Sequence, residues 1–155
     1  MTKQTGPIAL RRTDAFSSIL LAVTAPVATW ALIGDLSVPG VEGESLDHLV
    51  SAPRFGPGVS LAVGVGSAAV AASAGTWLVW SILRRRLDSR WWWVVLPALA
   101  ADVVIGAGAR VVTAGVIGAN IGGGFAIVLG GPLTVGMVTY SVYRARRLLQ
   151  PAPSV

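Results

Sequence analysis

An all-α, four-helix transmembrane bundle with both termini cytoplasmic is the fold this sequence predicts, and three observations carry the prediction. Only 12% of the 155 residues are charged and 54% are hydrophobic, whereas a soluble domain carries about 25% charged residues. Four apolar stretches approach or exceed the roughly 20 residues that a helix needs to cross a ~30 Å hydrocarbon core. Ten of the twelve basic residues fall on one side of a four-pass topology.

The elements follow in order. Residues 1–14 form a short N-terminal segment carrying Lys3, Arg11 and Arg12. The first span reads AFSSILLAVTAPVATWALIG, Ala15 to Gly34, with Pro26 near its middle as a kink. No strict small-x-small site follows this run, so it is expected to be a retained helix rather than a cleaved leader. An outer loop, residues 35–58, leads to a second span over about 59–83. Arg84, Arg85, Arg86 and Arg90 separate it from a third span that opens on Trp91, Trp92 and Trp93 and continues to about Gly118. A turn over Ala119–Gly123 is then expected to close a tight hairpin. The fourth span covers about 124–143, interrupted by Gly130, Gly131 and Pro132, and Arg144, Arg146 and Arg147 follow it. The transmembrane domain thus occupies 15–147, and 148–155 read as a disordered tail.

Charge decides orientation. Lys3, Arg11, Arg12, the four arginines of 84–90 and the three of 144–147 share one side, while Asp35, Glu42, Glu44 and Asp47 share the other with Arg54. The positive-inside rule places the basic side, and both termini, in the cytoplasm of a multi-pass cell-membrane protein. Trp77, Trp80, Trp91 to Trp93, Tyr140 and Tyr143 gather near that side, as an interfacial belt does, with Trp30 toward the other. The net charge of +5 is therefore explained by topology, and no nucleic-acid partner is expected.

Within lipid, helices associate largely through close packing at small residues. Ser67, Ala71 and Gly75 recur at steps of four on the second span, beside a row of Gly64, Ala68, Ala72 and Thr76. The third carries Gly106, Gly108 and Ala114, and the fourth Gly130, Gly131 and Gly136. Packing within the chain is their expected use, ahead of a dedicated dimer seam.

Two intramembrane residues form the candidate polar site. Asp102 falls near mid-depth of the third span, where an ionised carboxylate costs at least ~2.5 kcal/mol. It must be protonated, paired or wet, with Ser73, Thr76 or Thr134 as expected hydrogen-bond partners. Arg110 lies eight residues on, about 12 Å of rise, and rotated by roughly 80°. A direct ion pair with Asp102 is too long. Arg110 is expected to pair with an acid of the outer loop or to snorkel to the headgroups.

Other features carry less. Glu44 and His48 are spaced i, i+4 in the outer loop, with Glu42 and Asp47 near in sequence. They are read as part of a short interfacial helix rather than a metal site. Asn120 and the glycines 122–124 are read as the hairpin turn. Arg84, Arg85, Arg86 and Arg90 would attract anionic lipid headgroups. There is no cysteine, which removes thiol chemistry and disulfides, and no nucleophile–base pair or histidine cluster. No enzyme and no cofactor is expected. The function class is a non-enzymatic membrane protein that packs with itself or a larger complex as an accessory or scaffold subunit. The alternatives are a small transporter or channel using Asp102 and Arg110, and a holin-like pore former.

Overall fold

The computed structural model describes residues 11–37, 49–53, 55–115 and 119–150. Four α-helices occupy them: α1, Arg12–Ile33; α2, Pro57–Leu83; α3, Trp92–Thr113; and α4, Ala119–Leu149. A single 3₁₀ turn, Ser89–Trp91, precedes α3. All four are long and apolar enough to cross a membrane, and no strand occurs among the described residues. At 1.5 Å per residue, the 22 residues of α1 span roughly 33 Å, close to one hydrocarbon core.

Local chemistry sets three of the ends. Pro57 opens α2 at a position where its missing N–H costs nothing. Gly34, at φ 74°, stops α1, a conformation that glycine takes without a Cβ penalty. The α2 stop is less ordinary. Arg85 N–H donates to the Ile82 carbonyl and Arg86 N–H to the Ser81 carbonyl, each at 2.9 Å. This double bond pattern is a Schellman motif, with Arg85 rather than glycine in the left-handed conformation, at φ 55°.

Two boundaries differ from those expected. Helix α3 ends at Thr113 rather than near Gly118, and α4 begins at Ala119 rather than near Gly124. The expected turn over 119–123 is therefore helical from its first residue. The cause is tertiary. Val50 N–H of the returning loop donates to the Val112 carbonyl at 3.3 Å, which meets an end-of-helix carbonyl of α3. Leu49 packs on Gly123 so closely that a Cβ there would fall 2.6 Å from Leu49 Cδ2. The glycines admit the loop, and the helix extends beneath it. Gly130, Gly131 and Pro132 likewise lie inside a continuous α4. Lys3, Glu42, Glu44, Asp47, His48, Arg54 and the tail 151–155 lie outside the described residues.

The helices pack in the order α2, α1, α3, α4. Helix α1 packs against both α2 and α3, while α4 packs extensively only against α3. The bundle is thus open, with α2 and α4 at its flanks. Leu21, Ala25, Ala74 and Leu78 form the α1–α2 core, with Ala71, Val95 and Leu99 against it. A second cluster, Ile82, Leu87 and Trp91, receives Ala145 and Leu148 from the end of α4. These contacts bring the N-terminus of α1, the 84–91 connection and the C-terminus of α4 to one end of the molecule. That basic end carries Arg11, Arg12, Arg84 to Arg86, Arg90, Arg144, Arg146 and Arg147.

Candidate functional site

The small residues decide where the polar ones stand. On α2, Gly64 faces Ala31 of α1, with a hypothetical Cβ 2.9 Å from the Ala31 Cβ, and Gly75 faces Leu21. Ala71 packs on the α1–α2 core, and Ser67, one turn earlier, bonds the Gly64 carbonyl of its own helix. On α3, Gly106 is buried against α1: an added Cβ would collide with the Pro26 carbonyl oxygen and lie 2.6 Å from Thr29 Cβ. The approach of α1 to α3 at this point requires glycine.

Asp102 lies one helical turn before Gly106 and is buried at 8% exposure. Among the described residues no donor reaches its carboxyl. Ser73 instead bonds the Ala69 carbonyl of its own helix, Thr76 lies on an exposed stretch of α2, and Thr134 lines a groove between α3 and α4. None of the three expected partners is brought to it. One turn on, at Gly106, α3 meets the Pro26 carbonyl and Thr29 of α1.

Arg110 stands at the opposite end from the basic one and does not meet Asp102. Its Nε donates to the Gly34 carbonyl, its Nη2 lies 3.9 Å from Asp35 Oδ1, and its guanidinium carbon sits 4.7 Å from the Trp30 ring centre. Asp35 in turn accepts from the Ser37 N–H and hydroxyl, and Ser37 Oγ accepts from Gly115 N–H at 3.0 Å. Arg110 therefore ties the exit of α1 to the end of α3. The acid it pairs with is the first residue of the loop after α1.

A third charged residue was not singled out in the sequence. Asp14, in the first turn of α1, is more deeply buried than Asp102, at 2% exposure. Its Oδ1 accepts from Trp77 Nε1 and from Ser81 Oγ of α2, both at 3.1 Å. A carboxylate in the first turn also meets the positive end of the helix dipole. Asp14 falls at the end of the N-terminal segment, two residues after Arg12 and just outside the span read from Ala15. The signal that could have found it lies on α2, where Trp77 and Ser81 are spaced i, i+4 at the same end of the membrane-length run.

The chain matches no family model, no curated protein and no solved structure.

The site therefore rests on its own chemistry. Asp14, Asp102 and Arg110 stand at three levels along the α1–α3 and α1–α2 contacts. The cleft between α1, α2 and α3, about 320 Å³, is lined by apolar side chains and Thr29. The groove between α3 and α4, about 400 Å³, is lined by apolar side chains, glycines and Thr134. Neither is lined by Asp102. Among the described residues no three His, Asp or Glu side chains gather to hold a metal ion. At the basic end, Trp91 Nε1 and Arg144 Nε are buried without an acceptor among the described residues.

Proposed function

We propose that this chain is a small multi-pass protein of the cell membrane, with both termini cytoplasmic. It carries out no enzymatic chemistry and packs with itself or with a larger complex as an accessory or scaffold subunit. The observation that supports this reading is the open helix row. Helix α4 has one extensive neighbour, and its Leu129 and Leu133 are exposed on one face with Gly136, where an added side chain would meet open space. Such a face accepts another helix as readily as lipid.

Co-purification tests it. The tagged chain, extracted from its native membrane in mild detergent, is expected to carry a stoichiometric partner or to run as a homo-oligomer. A monodisperse single chain in lipid discs, with no co-purifying protein, overturns the reading. The cysteine-free background allows orientation to be read separately. In intact cells an impermeant maleimide is expected to label Ser37→Cys and to spare Ser89→Cys.

One observation favours the second reading, a small transporter or channel using Asp102 and Arg110. A buried carboxyl without a partner at membrane depth is a recurring feature of proton and cation paths. An Asp102→Asn variant that abolishes a proton-linked flux in liposomes would establish it.

A further inference from the structure

The basic end holds more donors than acceptors. Its one acid on the helices, Asp14, is occupied by Trp77 and Ser81. Asp88, in the connection, accepts from the Arg90 N–H at 2.8 Å and so caps the 3₁₀ turn. Among the described residues neither Arg84 nor Arg86 forms an ion pair. Both guanidiniums instead converge on one ring: the Arg86 carbon lies 4.3 Å and the Arg84 carbon 5.9 Å from the Trp80 centre. Two like charges drawn to one indole repel each other unless an anion lies between them.

The support beneath this pair is fixed by the fold. Asp14 holds the Trp77 indole through its N–H, and Trp77 packs against Trp80 with ring centres 5.2 Å apart. The Schellman stop then turns the chain so that Arg84 and Arg86 both reach the Trp80 ring. It does so by holding Arg85 in the left-handed conformation, which glycine usually takes. Both arginines are exposed, and Trp80 sits at the end of a membrane-length helix, where headgroups lie.

We propose that Arg84 and Arg86, laid over Trp80, form a binding site for the phosphate of an anionic lipid headgroup. Planar guanidiniums bind phosphate through paired N–H groups while their faces remain on the indole. This differs from the general attraction of a basic loop to an acidic surface, which needs charge alone. It rests on the membrane reading for the presence of a bilayer, but not on the scaffold role, which co-purification tests separately.

The test uses the purified full-length chain in neutral detergent, with melting followed by tryptophan fluorescence. Phosphatidylglycerol, phosphatidylcholine or inorganic phosphate is added in parallel. Phosphatidylglycerol is expected to raise Tm by several degrees, and the other two to leave it nearly unchanged. The double variant R84K/R86K keeps every charge, and with it the orientation, but lacks the planar fork. Most of the gain should vanish there and persist in R11K/R12K. If R84K/R86K is too unstable to melt cooperatively, the single variant R86K carries the same comparison. Equal stabilisation by phosphatidylcholine, or a full gain retained in the lysine variant, overturns the site. A matching gain from inorganic phosphate overturns the lipid as its ligand.

Discussion

Two buried carboxyls on neighbouring helices are handled in opposite ways. Asp14, at the basic end, is held by an indole N–H and a hydroxyl from the facing helix. Asp102, nearer the middle of α3, is also buried but receives no hydrogen bond among the described residues. The first is a fastener, since its removal frees two donors inside a helix interface. The second is a buried group one turn from the glycine at which α3 meets α1. A buried carboxyl on a membrane-length helix, with no hydrogen bond among the described residues, is the one that calls for another role.

The strongest way to break the comparison is to open the enclosure itself. Gly106→Ala places a methyl against the Pro26 carbonyl and Thr29, and neither backbone can give way without separating α1 from α3. A loss of about 2–3 kcal/mol is expected, in the range of overpacking, with a fall in Tm. Gly108→Ala, two residues on, meets nothing within 4 Å. It should gain about 0.5–1 kcal/mol, as alanine replaces glycine within a helix. Equal effects at both positions would mean that the α1–α3 approach does not require glycine at 106.

Apolar length, rows of small residues and the clustering of arginines were legible in the sequence, because each is a property of one segment. The four membrane-length helices rest on the first of these. The partners of Asp14 were not legible, because they depend on the register of α1 against α2, which Gly64 on Ala31 and Gly75 on Leu21 set in three dimensions. The start of α4 was hidden for a related reason. Three successive glycines read as a turn, and only the arrival of Leu49 over Gly123 shows why the helix needs glycine at that position. Asp102 and Arg110 could be placed at separate depths from spacing alone. The absence of Ser73, Thr76 and Thr134 from the Asp102 carboxyl could not be read, since helix order and rotation decide it.

The same substitution at the two acids sharpens the contrast. Asp14→Asn keeps an oxygen for Trp77 and Ser81 but removes the charge that strengthens both bonds, and a loss of about 1–2 kcal/mol is expected. Trp77 should report it independently, because an indole N–H that gives up a carboxylate changes its emission. The comparison of wild type with Trp77→Phe isolates that signal. If Asp14→Asn melts like wild type with unchanged emission, the fastener at the basic end contributes nothing.

Asp102→Asn should produce the smallest effect. No hydrogen bond is lost among the described residues, the shape is kept, and the amide has no charge to desolvate. Stability should stay within about 0.5 kcal/mol of wild type, the range of substitutions away from any specific interaction. A loss of the size expected at Asp14 would instead reveal a structural partner for Asp102. The near-neutral outcome has a practical consequence. A variant that folds like wild type but lacks a proton-linked flux assigns that loss to the carboxyl itself. The pair of Asn variants thus separates a residue that holds the helices together from one that only a function could keep.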